Sequence, residues 1–367
     1  MKEVSFGHFY GKLNNNARFP LSAQLELTYR CGLECVHCYC KGLENKGKEL
    51  STGEWKKILD DLVKEGIVYL TFTGGDPLAR EDFLELYAYA REKAFLTSIF
   101  TNAQSLTSEC LDHLSKSPPY SIEVTLNGIT QGTYESITQV SGSFAKATEN
   151  IRKIKEENIP LFLKVNCLKQ NKHEVGLIKA FVDKFLGGEP GKFHFKYDPM
   201  VYPRLNGDKT PCKYRLSFDE LSEIRKQDPD IWEEYQKGLH SEQSELKRDR
   251  KFLYGCNSWE SQFFIDPFGR LKFCEFSDKF SVDLKKTPLR AGYYSIVPQV
   301  LGAKFTTDSK CVDCSLRPLC YHCPGRAYLE TGNEESPVDY YCEMAGKLMQ
   351  ELSSVKQEAR HGAKTKI

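Results

Sequence analysis

Short apolar runs alternate with amphipathic stretches through the first two hundred residues. Gln24–Thr28 (QLELT) reads as a strand. The next stretch, STGEWKKILDDLVKEG, predicts a helix: Ser51 and Glu54 form a capping box, and Gly66 stops it. Between them Trp55, Ile58, Leu59, Leu62 and Val63 recur at helical spacing. Ile67–Thr73 is the second predicted strand, followed by a helix from about Glu81 to Lys93. A third strand ends at Thr101 and a helix starts near Ser108; a fourth strand ends at Leu126, with its helix at Ser143–Glu157. Pro160–Asn166 and Phe193–Pro199 supply the fifth and sixth strands around a helix at Val175–Phe185. Six successive strand–helix units imply a parallel sheet covered by helices. In such sheets chemistry collects at the carboxyl ends of the strands, whether the sheet closes into a barrel or stays open.

Composition narrows the class. Of 367 residues 40% are hydrophobic and 28% charged, which is ordinary globular content, and a net charge of +1 gives no overall field for nucleic acid or anionic lipid. No apolar run is long enough to span a membrane, and the N-terminus lacks a continuous apolar secretory core, so a cytoplasmic location without membrane or nucleic-acid partners is expected. Fourteen cysteines in a reducing compartment point to metal or cluster ligation rather than to disulfides. Their distribution is uneven. Cys31, Cys35, Cys38 and Cys40 crowd the loop after the first strand, and Cys256, Cys274, Cys311, Cys314, Cys320, Cys323 and Cys342 crowd the last third. Cys110 and Cys167, at a helical position and just after a strand, read as small buried apolar residues.

Cys31, Cys35 and Cys38 follow a C-x3-C-x2-C spacing. Three thiolates can hold three irons of a [4Fe–4S] cluster and leave the fourth free for a small molecule. Zinc is the alternative, with Cys40 as a fourth ligand or one position open to water.

That spacing after a first strand resembles the signature of radical S-adenosylmethionine enzymes, and the resemblance extends over roughly the first two hundred residues. It implies a partial (β/α)6 TIM-like barrel. The open iron would chelate the methionine moiety of S-adenosylmethionine, and one electron would cleave its sulfonium to methionine and a 5′-deoxyadenosyl radical that abstracts a substrate hydrogen. Position by position, His37 resembles the residue packing near the adenine. Gly74, Gly75 and Asp76 in TGGDP resemble the Gly-Gly-Glu-Pro turn whose backbone receives the methionine amino group, with Asp in place of the usual Glu. Asn102 in TNA resembles a residue of the cofactor wall. Thr125 stands where a Ser bonds the ribose, with Asn127 in place of an acid. Lys164 lies where members carry a basic residue toward the cofactor carboxylate; its alternative reading is a snorkelling strand lysine.

The C-terminal cysteines resemble a SPASM domain, which carries two auxiliary [4Fe–4S] clusters, giving three clusters in all. Every interval fits except Cys320-x2-Cys323, where the family has three intervening residues. The resemblance assigns Cys311, Cys314, Cys320 and Cys342 to an outer cluster and Cys256, Cys274 and Cys323 to an inner one. The inner cluster is left with an open iron, or with Cys212 as fourth ligand. Cys212 has two further readings, spectator thiol and hydrogen-atom donor, of which spectator comes first. Gly269 in DPFGR is read as the turn of a hairpin aiming Cys274 at Cys256.

The expected domains are an N-terminal extension (1–22), a barrel (23–216), a linker with bridging helices (217–252), the SPASM region (253–345) and a C-terminal tail (346–367). The tail is basic and is read as mobile from Val355. The resemblance implies a peptide or protein substrate modified by crosslinking, oxidation or epimerisation. The auxiliary clusters would accept an electron or bind substrate, and a flavodoxin or ferredoxin would serve as electron donor. The extension is too short for a leader-binding domain, so a separate leader-binding protein is a further expected partner. A small metabolite or tetrapyrrole is the alternative substrate, and an electron-transfer or zinc-binding protein is the alternative of another class.

Overall fold

A computed structural model describes residues 20–187, 194–228, 232, 251–256 and 262–364, with side chains in the last helix described as far as residue 353. Six parallel strands run in sequence order: β1 (Ser22–Thr28), β2 (Tyr69–Gly74), β3 (Leu96–Thr101), β4 (Ser121–Thr125), β5 (Leu161–Asn166) and β6 (Phe195–Asp198). Between them lie α1 (Thr52–Lys64), α2 (Phe83–Glu92), α3 (Ser108–Lys116), α4 (Gln131–Thr138), α5 (Ser143–Glu156) and α6 (Val175–Leu186); α7 (Phe218–Lys226) follows β6. The expected capping box of α1 is present, and Trp55, Ile58, Leu59 and Leu62 are its buried face. Val63, expected on that face, is instead among the exposed large apolar residues. Strand boundaries differ from expectation by two residues or fewer. Cys110 and Cys167 belong to the apolar core, as their surroundings in the sequence suggest.

Sequence patterning missed α4. Thr130 caps it by accepting the Thr133 amide, but Gly132, Thr133 and Ile137 are weak helix formers and no long apolar stripe marks it.

The C-terminal region is joined to the barrel more closely than a separate small domain would be. β7 (Gln262–Ile265) pairs parallel with β1, Ser22 opposite Gln262 through Leu25 opposite Ile265. β8 (Arg270–Cys274) and β9 (Ser277–Asp283) follow antiparallel, so the described residues form one nine-stranded sheet, β6-β5-β4-β3-β2-β1-β7-β8-β9. β7 thereby covers the edge that β1 would otherwise expose. Gly269, in the left-handed region at φ 86°, makes the expected turn. Three helices complete the region: α8 (Leu289–Gly302), α9 (Pro324–Thr331) and α10 (Asp339–Lys364). The segment read as a tail from 346 therefore begins inside α10, whose Ala345, Leu348 and Leu352 are buried; apolar spacing within an otherwise basic stretch accounts for the packing. Most of the expected linker, and the N-terminal extension through residue 19, lie outside the described residues.

Glu26 on β1 and Lys272 on β8 face each other at 3.4 Å, each 1% exposed, and Tyr29 Oη donates to Glu26 at 3.0 Å. Burial pushes the Glu26 carboxyl above its ordinary range, against the pull of Lys272 and Tyr29. Removing one partner of such a pair costs more than removing both, because the survivor is left buried and uncompensated. Lys272→Met is expected to lower unfolding free energy in denaturant titrations by about 3–5 kcal/mol, and adding Glu26→Leu should restore most of it. Equal losses in the single and double variants would contradict the pairing.

Candidate functional site

The loop after β1 carries the N-terminal cysteines over the carboxyl end of the sheet, and three neighbours fix it there. The Gly75 amide donates to the Thr28 carbonyl at 2.8 Å and the Asp76 amide to the Arg30 carbonyl at 3.0 Å. A Cβ on Gly74 would lie 2.2 Å from the Thr28 oxygen, and one on Gly75 2.5 Å from the Tyr29 oxygen, so only glycine allows this approach. The C-terminal carbonyls of α4 hold the middle of the loop, Ile137 accepting the Val36 amide at 2.9 Å and Thr138 the Glu34 amide at 3.0 Å. Buried Arg80 donates to the carbonyls of Leu27 and Leu50 and pairs with Asp82, tying the strand end to the start of α1.

Cys31, Cys35 and Cys38 line a cavity of about 370 Å³ at that end of the barrel, together with His37, Gly74, Gly75, Asn102, Thr125 and Lys164. Six of the seven residues expected to touch the cofactor thus share one cavity with the three cysteines. Asp76, the seventh, does not line it. Its carboxylate is wholly buried and accepts from Thr101 Oγ1 at 2.9 Å and the amides of Leu78 and Asn102, and burial raises its pKa to about 6. It joins the ends of β2 and β3 rather than facing the cavity.

Asn102 Nδ2 donates to Cys31 Sγ at 3.1 Å. Lys164 stands 3.5 Å from Asp198 across β5 and β6, and Asn127 Oδ1 accepts the Asn166 amide at 2.9 Å. Burial lowers the pKa of His37 to about 4, so its ring is neutral, and its Nδ1 is sealed from solvent without a hydrogen-bond partner. Cys40 is 3% exposed and packs in an apolar cluster with Tyr29 and Leu43. Burial pushes the Cys31 thiol up to about 12, whereas hydrogen bonding with Cys40 brings Cys38 down to about 7.

The Lys164 cation, the Thr125 hydroxyl, the Asn102 amide and the glycine turn around one space suit a ligand with a carboxylate, an ammonium and a ribose. Three cysteines sharing the same cavity suit a cluster with one iron left open. Among the described residues no three His, Cys, Asp or Glu side chains stand close enough to share a single ion.

A second cavity, about 620 Å³, is lined by Cys256, Cys311, Cys314, Cys320, Cys323 and Cys342. The seventh cysteine, Cys274, ends β8 beside Cys323; their thiols are hydrogen-bonded, and the pKa of Cys323 falls to about 6. Glu335 holds the loop that leads to Cys311. It accepts from the amides of Thr306 (3.0 Å) and Thr307 (2.8 Å) and from both hydroxyls, which lower its pKa to about 2. Cys212 lines neither cavity and lies in a 3-10 turn, Thr210–Tyr214, near the bidentate Arg215–Glu330 pair.

Sequence reasoning did not single out Tyr134, Tyr202, Glu275 or Phe276, all of which line the first cavity. Tyr134 comes with the unforeseen α4. Glu275 and Phe276 follow a recognised cysteine, so that adjacency was the available signal. Burial and the nearby Glu26 raise the pKa of Glu275 to about 7.

Residues 25–181 match the Radical SAM superfamily. The chain is 32% identical over 166 residues to the PqqA peptide cyclase of Bradyrhizobium diazoefficiens, covering 45% of this chain and 44% of that protein. The matched part thus spans less than half of that relative's length. It is 24% identical over 339 residues to the AdoMet-dependent heme synthase of Methanosarcina barkeri, covering 86% of this chain and 94% of that one. In fold it is similar to Streptococcus suis SuiB bound to S-adenosylmethionine, with a TM-score of 0.67, 17% identity, and 92% of this chain and 78% of that chain covered.

Gly75→Ala is expected to destabilise the protein by about 2–4 kcal/mol, the range of a substitution that forces a backbone apart. Gly132→Ala, with open space around its Cβ inside α4, should be neutral or stabilising by up to about 1 kcal/mol; thermal unfolding compares the two. Glu335→Gln tests the second region. Because the Glu335 pKa is depressed in the folded protein, its contribution is present above the unfolded value of 4.5 and is lost as pH falls toward about 2. The stability gap between wild type and variant in urea should therefore be wide at pH 7 and narrow at pH 3.

Proposed function

We propose that this chain, whose residues 25–181 match the Radical SAM superfamily, cleaves S-adenosylmethionine reductively and uses the product radical to take a hydrogen atom from a peptide or protein. The observation that carries this reading is the sharing of one cavity by Cys31, Cys35 and Cys38 with the residues suited to the cofactor. When bound, the cluster and S-adenosylmethionine would supply one electron and a sulfonium carbon–sulfur bond, giving methionine and a 5′-deoxyadenosyl group as the hydrogen acceptor.

The chain's own residues position and enclose. Cys31, Cys35 and Cys38 would hold three irons and leave one for the methionine amine and carboxylate. Lys164 would face the carboxylate, the carbonyls of the Gly74–Gly75 turn the ammonium, Thr125 the ribose, and His37 the adenine. Asn102, donating to Cys31, would steady a cluster sulfur. Asp76 would act at one remove, by fixing the strand ends. The aromatic rings of Tyr134, Tyr202 and Phe276 would exclude water from the radical.

The seven C-terminal cysteines are proposed to hold two auxiliary clusters, with Cys311, Cys314, Cys320 and Cys342 on one and Cys256, Cys274 and Cys323 on the other. Three clusters predict about twelve irons per chain. The proposed extents remain 23–216 for the barrel and 253–345 for the auxiliary region. A small electron-transfer protein such as a flavodoxin or ferredoxin would reduce the first cluster, and a peptide substrate would be delivered by its own leader or by a separate binding protein.

A second reading is favoured by one finding: the match to a heme synthase runs along nearly the whole of both chains. On that reading the substrate is a tetrapyrrole whose side chains lose hydrogen. Mass spectrometry after incubation with candidate peptides and with iron porphyrins separates the two.

Anaerobically reconstituted protein with dithionite is expected to release 5′-deoxyadenosine from S-adenosylmethionine, and Cys35→Ala should abolish this. Cys314→Ala should retain part of the cleavage while losing substrate turnover. Equal loss in the two variants would contradict the division of labour between the cavities.

A further inference from the structure

One cation packs against the aromatic rings of the first cavity, close in sequence to a cysteine of the second. Arg326 is on α9, one turn after Cys323, and its guanidinium carbon sits 4.1 Å from the Tyr202 ring centre and 5.1 Å from that of Phe276. Its Nε is sealed from solvent with no hydrogen-bond partner, and Glu275, between Cys274 and Phe276, is an acid on which its charge acts. Two ring faces offset only part of the cost of burying a cation. The placement therefore calls for negative charge nearby.

Tyr202, Cys323, Tyr341 and Cys274 interact electrostatically with Arg326, and so does Glu275. Cys323 is the N-cap residue of α9, which places it at the start of the helix that carries Arg326. Gly325 makes the fit possible, since a Cβ there would lie 3.1 Å from the Phe276 carbonyl oxygen.

The rings that carry the guanidinium also reach the other cysteine loop. Tyr202 and Phe276 stand 4.7 Å apart, and Phe276 is 5.8 Å from Tyr39, the neighbour of Cys38. Tyr39, Tyr202 and Phe276 all line the first cavity. The aromatic wall of the first cavity is thus the seat of a cation that follows Cys323 by three residues and interacts electrostatically with Cys323 and Cys274.

We infer that Arg326 is the counter-charge of the inner auxiliary cluster, a positioning residue that favours its reduced form and leaves the first cluster untouched. The inference rests on the three-cluster reading above. Reduction adds one electron to the cluster, with no bond or proton moved, so a fixed positive charge beside its thiolates raises the potential. The outer set has its own neighbouring cations, Lys310 and Arg317, so only one of the two auxiliary signals should respond to a change at Arg326.

The test uses full-length protein carrying Cys31→Ala, Cys35→Ala and Cys38→Ala, so that only auxiliary iron remains, and follows a redox titration by electron paramagnetic resonance. Arg326→Gln is expected to weaken reduction of one signal about tenfold, about 59 mV for a one-electron couple, with the second signal unmoved. Arg326→Lys, which keeps the charge, should shift it far less. No shift in Arg326→Gln, or the same shift in Arg326→Lys, overturns the inference. If Arg326→Gln sheds one cluster's iron and Arg326→Lys retains it, charge is again the requirement; loss in both variants overturns it. A triple-cysteine background that holds no iron at all would instead defeat the three-cluster reading, and iron analysis shows that before any titration.

Discussion

Everything at the barrel mouth depends on how closely two backbones approach. The turn after β2 packs its Gly74 and Gly75 against the chain leaving β1, and the Gly75 and Asp76 amides take the Thr28 and Arg30 carbonyls. The same contact sets the height of Cys31 above the sheet, and the α4 carbonyls then fix the backbone on either side of Cys35. A flexible ten-residue loop would present three thiols in many arrangements; anchoring at both ends and the middle removes that freedom before any iron binds.

The second joint is the pairing of β7 with β1. It makes the strand that precedes the first cysteine loop neighbour the hairpin that ends in Cys274. The Glu26–Lys272 pair and the stack of Tyr39, Phe276 and Tyr202 reinforce this seam from inside. The hairpin that carries Cys274 and the strand that leads to the first cysteine loop are thereby held in one sheet.

Much of this was legible in the sequence, for identifiable reasons. The β–α alternation is strongly periodic, and cysteine spacing is rigid information, so the six strands and both cysteine groups could be read directly. The α4 helix was not legible, because its helix formers are weak and its role is to offer terminal carbonyls, which no side chain advertises. The role of Asp76 was also hidden: TGGDP suggests a ligand turn, but burial against Thr101 depends on how β2 and β3 end in space. The parallel pairing of β7 with β1 joins residues some 240 positions apart, beyond the reach of local pattern, and with it went the placement of Phe276 and Arg326. The packing of α10 past 346 was obscured by its basic composition.

The central claim is that the iron not served by Cys31, Cys35 or Cys38 is where S-adenosylmethionine binds. Electron–nuclear double resonance on the reduced protein, with S-adenosylmethionine labelled with nitrogen-15 at its amine and oxygen-17 at its carboxylate, reads that contact directly. The account predicts coupling from both labels, lost in Cys35→Ala. A cluster signal that shows neither coupling and does not change when S-adenosylmethionine is added would contradict it.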